Sequence, residues 1–212
     1  MKPCPAIAVL EFDDIPTGAA ATDAMLKRAP IAFFRCGTTT HGRYLTVIGG
    51  TTASVAESAE EGVRYAAGHL LDHVLLPDVH PSLYDAIGGT RRPRVSGSLA
   101  ILESPTVSAT VRAAEAALKG TPVELVEIRL ADTGLAGKGL VVLEGTLHDV
   151  EAAVTLAVAR DAREGPGGGA PQGPGRLSYR VIPAPHEATA AQAGHGTSFD
   201  SALTIQLEGE TL

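Results

Sequence analysis

Apolar residues enter this chain in short runs separated by Gly, Pro and charged turns, and the same order of runs occurs twice. Ile7–Phe12 (IAVLEF) is rich in branched apolar residues and ends at a charged turn, which predicts a strand. Asp13, Asp14 and Pro16 then suit the start of a helix. Ile15, Ala19, Thr22, Leu26 and Ala29 recur at three- and four-residue steps and predict one buried stripe on a helix ending near Pro30. Ile31–Cys36 predicts a second strand, Gly37–Gly42 a polar loop, and Tyr44–Ile48 a third strand ended by Gly49-Gly50. Thr52 is placed to cap a helix whose inner face is Val55, Ala59, Val63 and Ala66, and Leu70–Leu76 predicts a fourth strand.

Ser82–Val95 reads as a connection, a helical turn followed by a solvated stretch with three arginines. After it the order returns. Leu99–Glu103 is a strand, Ser104-Pro105 opens a helix as cap and first turn, and Val123–Leu130 is a strand. Ala131–Gly139 is a loop and Leu140–Glu144 a strand. Helix Leu147–Arg163 buries Val150, Val154, Ala157 and Val158, and Leu177–Ile182 is the last strand. Gly165–Gly175 is too dense in Gly and Pro for a helix or strand and reads as a mobile loop. The residues after His186 have no partner in the first half. Leu203, Ile205 and Leu207 alternate with polar residues, so this tail is either a short extra strand or a disordered end.

The repeat is also one of residue identity. Lys27 answers to Lys119, Leu26 to Leu118, Pro30 to Pro122 and Glu11 to Glu103, each pair 92 residues apart. Two β-α-β-β-α-β units follow, an α+β fold of two tandem ferredoxin-like domains, each an antiparallel four-stranded sheet with helices on one face. The boundaries expected are 1–90, 91–190 and a tail 191–212.

Composition then narrows function. The 212 residues are 44% hydrophobic but only 4% aromatic, so Ala, Val, Leu and Ile must pack the cores. A net charge of −7 without a Lys/Arg run argues against nucleic acid. No run approaches the length needed to cross a bilayer, and the start reads as structure rather than a signal peptide. Cys4 and Cys36 make no disulfide framework, which points to a reducing cytoplasm.

Catalytic signatures fail one by one. There is no Gly-x-Ser-x-Gly elbow. Gly137-Lys138 lacks both the earlier Gly and the following Ser or Thr of a phosphate loop. His69 and His73 are four apart, but at a helix-to-strand junction. Glu11 and Glu103 occupy matched positions, so each does one structural job in its own half rather than forming a catalytic pair. No catalytic residue, metal site or cofactor is expected.

Taken together, the strand AIAVLEF, the helix DAMLKRAP, GRYLTVIGG and the ending LLPDVHP, followed by LAILES, EAALKGTP, AGKGLVVLEG and VIPAPH, resemble bacterial microcompartment shell proteins of the tandem-domain kind. The resemblance implies a homotrimer that mimics a hexagon and tiles with other shell proteins. It implies a central pore for small metabolites lined by Thr39, Thr40, His41 and Gly42 and by Gly134, Leu135, Ala136 and Gly137. His41 and Ala136 fall at its narrowest point. Lys27 and Lys119, with Asp78, His80, Ala184 and His186, fall at the tile edge, where Asp78 and Ala184 stand in place of the family's frequent Arg. Some tandem shell proteins hold an iron–sulfur cluster at the pore through a cysteine; Cys36 lies near the loop but not at its tip.

Arg43 and Lys138 flank the loops at equivalent places. Either they form a ring of cations that favours anions or they are solvated strand-end charges. Three copies of His41 would either bind a metal, or titrate as a gate, or simply line the opening. Two other functions fit the same fold: a ferredoxin-like small-molecule-binding regulator, and a redox relay with a pore-bound metal or cluster.

Overall fold

The computed structural model describes residues 5–66, 68–92, 94–163, 177–205 and 207. Strands β1 (Ala6–Phe12), β2 (Phe33–Thr39), β3 (Arg43–Gly50) and β4 (Leu70–Leu76) form one antiparallel sheet in the order β2-β3-β1-β4. Strands β5 (Ser98–Ser104), β6 (Glu124–Leu130), β7 (Gly139–Gly145) and β8 (Ser178–Ile182) form a second, in the order β6-β7-β5-β8. Helices α1 (Ile15–Arg28) and α2 (Thr52–Tyr65) belong to the first unit, α4 (Val107–Gly120) and α5 (Leu147–Arg163) to the second. A short helix α3 (Pro81–Ile87) connects them, and α6 (Glu187–His195) follows β8.

Register carries the duplication. Glu11 pairs with Leu45 and Asp72 across the first sheet; Glu103 pairs with Leu140 and Ser178 across the second. Helices α1 and α4 both have fourteen residues and begin after matched caps. The Asp14 carboxylate accepts from Thr17 N at 2.8 Å, and Thr106 Oγ1 accepts from Ala109 N at 3.1 Å. Volumes are exchanged where the copies differ. A Cβ on Gly18 would strike the Tyr44 ring, whereas the matched pair in the second unit is Thr110 against Gly139.

Several sequence expectations are corrected. Helix α1 buries Gly18, Ala21, Thr22 and Met25 on its own sheet; Ile15 and Ala19 face outward. The expected stripe straddles two faces: Thr22 and Ala29 are buried, whereas Ile15 and Ala19 lie on the outer side. The inner face is fixed by Thr22, whose hydroxyl donates to Gly18 O at 2.8 Å and meets Thr46 Oγ1 at 2.6 Å. On α2, Val63 is exposed and Ser58 and Gly62 take the buried places; Thr51, not Thr52, caps it. Ala153 is buried on α5 and Val158 is exposed. Ser104 remains in β5, paired with Gly139, so the cap moves to Thr106. Strand β2 runs on to Thr39, which shortens the first loop to a 3-10 turn, Thr40–Gly42.

The tail does have a counterpart. Both α3 and α6 follow the last strand of their unit, and each is capped by a histidine, His80 Nδ1 accepting from Ser82 N and His186 Nδ1 from Ala188 N. Beyond α6 lies a 3-10 turn, Phe199–Ser201, and residues 203–205 and 207 form no strand. Gly165–Gly175 lies outside the described residues. Nor is the arginine-rich connection merely solvated: Arg91 pairs with Glu127 and donates to His195 O, and Arg92 pairs with Glu124.

The two faces of β1 are both buried. Ala6, Ala8, Leu10 and Phe12 meet α1 and α2 in the first unit's own core. Ile7 and Val9 face the other way and join a larger core with α3, α4 and the second unit. The first sheet is therefore held between its own helices and α4 of the second unit.

Candidate functional site: the paired loops and the junction between units

Helix α4 delivers its N-terminus to the middle of the first sheet. There the Glu11 carboxylate, 2% exposed, accepts from Ser108 N at 2.6 Å. Burial pushes the Glu11 carboxyl up to about 7; the N–H groups of Ser108 and Val107 pull it back, and the Asp72 carboxylate raises it again. Asp72, 1% exposed, is matched by a fork from Arg112 at 2.7 and 3.0 Å and by the Thr106 hydroxyl at 2.6 Å. Arg112 also donates to His73 O at 2.7 Å. At the outer end Glu115 accepts from His80 N, and Lys119 bridges Glu115 and Asp78.

The two loops lie side by side at the other end. Thr40 Oγ1 donates to Ala131 O at 2.9 Å and accepts from Gly137 N at 2.9 Å, tying one loop to the other. The loop tips repeat an uncommon backbone: His41 and Gly42 have φ of 71°, and the matched Ala136 and Gly137 have 49° and 83°. A non-glycine residue held left-handed is strained, and its recurrence at both tips marks a conserved shape within the duplication rather than a chance loop. At Gly137 a side chain is excluded twice, by φ and by the Arg43 guanidinium, which would lie 2.9 Å from a Cβ. Arg43 Nη1 donates to Gly137 O at 2.7 Å and Pro105 O at 3.0 Å and lies 3.9 Å from Glu11. Lys138 instead pairs with Glu103 at 2.7 Å and remains half exposed.

The structure thus gathers Thr39, Thr40, His41, Gly42, Gly134 and Ala136 at one end of the molecule, with His41, Gly42, Gly134 and Ala136 exposed. Leu135 is buried, and Gly137 is buried under Arg43. Arg43 is a tie between units rather than a free cation. Lys27 is exposed and paired with Asp23 on its own helix. Asp78 and Ala184 lie exposed in the turns after β4 and β8, Ala184 with φ of 46°.

Cys36 lies exposed on β2, where the Tyr44 hydroxyl donates to its sulfur at 3.2 Å; that bond is the main reason the Tyr44 hydroxyl is pushed up to about 12. His69 is spent on Asp13, at 2.9 Å. Among the described residues no three His, Cys, Asp or Glu side chains converge on a metal-sized site, and no helix is long and apolar enough to cross a membrane.

Sequence reasoning missed the polar bridge of Asp72, Thr106 and Arg112. A signal was present: the repeat breaks there, since Arg112 matches Ala20 and Asp72 matches Ser178. A charged pair with no counterpart in the other copy belongs to a junction that only one copy makes inside the chain.

The geometry defines a duplicated α+β protein in which one helix covers the neighbouring unit's sheet and two bent loops meet at one end. The chain matches the BMC domain over residues 6–79 and again over 98–166, and it belongs to that family. It is similar to the bacterial microcompartment shell protein PduT of Citrobacter freundii, 35% identical over 192 residues, covering 90% of this chain and 98% of that protein. The crystal structure of a microcompartment protein from Desulfitobacterium hafniense DCB is 32% identical with a TM-score of 0.71, covering 87% of this chain and 97% of that one. A double ringed trimeric shell protein from the RMM microcompartment shares the fold at 12% identity, with a TM-score of 0.53 over 73% of this chain and 81% of its own. The chain is a shell protein of a bacterial microcompartment.

Proposed function

We propose that three copies close into a ring of six units around a central pore, and that the ring is a non-enzymatic tile through which small metabolites pass. One observation carries this reading: the junction inside the chain leaves two complementary halves of itself unused. The first sheet is covered by α4, but its equivalent α1 presents Ile15, Ala19, Asp23 and Lys27 to solvent. Among the described residues, the second sheet leaves Ile101, Glu103, Leu140 and Arg180 on an open face. Placing α1 of one copy on the second sheet of the next repeats the internal junction between chains. Such a head-to-tail contact either closes a ring or runs on as a filament; with two like units per chain, three copies give a closed six-unit ring.

Charge supports the same docking. In the internal junction Arg43 reaches Pro105 O and Gly137 O; by the repeat, Lys138 would reach the neighbour's Asp13 and Gly42. Asp13 and Asp14 would then face a lysine. The ring places His41 and Ala136 alternately about the axis, with Thr39, Thr40, Gly42 and Gly134 beside them. Lys27, Asp78, Ala184 and the histidine-capped turns at His80 and His186 fall at the outer edge, where tiles meet. The working units are 1–90 and 91–190, with 191–212 as an appendage.

Negative-stain electron microscopy of the concentrated protein tests this. The expected images are rings of threefold symmetry with a central opening, ordered into sheets or tubes. Single chains or two-fold dimers would overturn it.

A further inference from the structure

The first sheet is covered unevenly. Helix α4 lies over β1 and β4, and beside it on the same side of the sheet a groove runs along β2. There Arg35 and Gly37 from β2 stand beside Leu45 and Val47 from β3, since residues two apart share a face. The opposite wall is the end of β6 and the turn after it, Leu130–Thr133, from the second unit. The groove between them has a volume of about 510 Å³. It adjoins a second of about 300 Å³, bordered by α3, the linker and β6, and Arg35, Leu130 and Asp132 border both.

The charges around this groove are unequal. Arg129 is held by Asp132, and Arg91 by Glu127. Arg35 forms no ion pair among the described residues; its one hydrogen bond is a long one, 3.5 Å to Ile87 O. Of the three guanidiniums that border the cavities, Arg35 has no carboxylate partner among the described residues, and it sits at the junction of the two cavities. Space is left beside it, because a Cβ on Gly37 would meet nothing within 4 Å. Thr133 supplies a hydroxyl to the same groove, and Leu45 and Val47 give it an apolar floor.

We infer that this groove binds a small organic monoanion, a carboxylate of hydroxy-acid size, with Arg35 as its anchor. A planar carboxylate takes two parallel N–H bonds from a guanidinium fork, which a single neutral oxygen cannot. The threonine hydroxyl serves a hydroxyl on the ligand, and the apolar floor its carbon chain. The site lies within one chain, so it stands whether or not three copies close a ring.

The test is titration calorimetry on the full chain at low salt with glycolate, its neutral amide glycolamide, and inorganic phosphate. Saturable binding of glycolate is expected, with glycolamide at least tenfold weaker. Arg35→Gln should weaken glycolate at least tenfold. Gly37→Leu should do the same by filling the space while Arg35 remains. Both variants should keep the wild-type melting temperature and elution volume. The inference is overturned if glycolate does not saturate, if glycolamide binds as well, if phosphate binds better than glycolate, or if Arg35→Gln keeps full affinity.

Discussion

Helices α1 and α4 are the same element written twice, and they live in different surroundings. Each has fourteen residues; eleven are buried in α4 and four in α1. Both pack one face on their own sheet. Only α4 has a second sheet against its other face. The difference reveals what the apolar residues on the outer side of α1 are for: Ile15 and Ala19 match Val107 and Val111, which are fully buried. In the proposed ring, this exposed face of α1 is the one that meets the next copy.

The largest expected effect lies where the junction is most buried. Arg112→Ala leaves Asp72 charged and unmatched between α4 and the first sheet, and should cost about 3–5 kcal/mol in denaturant unfolding. The contrasting change on α1 is Lys27→Ala. It removes only an exposed pair with Asp23 and should cost under about 0.5 kcal/mol. Equal losses would break the comparison.

Glu11 and Glu103 sharpen it by pH. The folded-state Glu11 carboxyl titrates at about 7 against its ordinary value of 4.5. Between these values the folded chain binds the extra proton, so Glu11 makes stability fall as pH rises, by at most about 3 kcal/mol. Glu11→Gln should remove that fall, so that the variant gains on wild type from pH 5 to pH 8 in parallel urea titrations. Glu103→Gln, which breaks a half-exposed pair with Lys138, should shift stability at pH 7 by less than about 1 kcal/mol. A Glu11→Gln variant with the wild-type pH slope would show that the buried carboxylate is not the source.

The smallest contrast is between the loop tips. Gly137→Ala meets both a left-handed φ and the Arg43 guanidinium, and should cost about 1–3 kcal/mol in thermal unfolding. Gly42→Ala has the same φ problem in open space and should cost about 1 kcal/mol.

Much of the fold is legible in the sequence because strand-forming runs and Gly/Pro punctuation are local signals. Leu70–Leu76 and Leu147–Arg163 come out with the bounds expected. What local pattern does not settle is which side of an element is inside. On α1 the expected stripe mixes two sides: Thr22 and Ala29 are buried, but Ile15 and Ala19 face away from the first sheet. The burial of β1 on both sides explains why IAVLEF runs on rather than alternating, with Glu11 as the one polar interruption. The loops were legible as Gly-rich stretches. Their ties were not, because Thr40 to Ala131 and Arg43 to Gly137 cross about 91 and 94 residues of chain. Helix α6 was missed because its Ala-rich sequence has little periodicity, and only its histidine cap repeats the first unit.

The claim on which assembly rests is that α1 of one copy covers the open sheet of the next. Light scattering coupled to size exclusion measures it directly on wild type and on Ile15→Asp. The expected masses are three times the 21.7 kDa chain for wild type and one chain for a still-folded Ile15→Asp. A wild-type particle of one or two chains, or an Ile15→Asp variant that remains three, would contradict it.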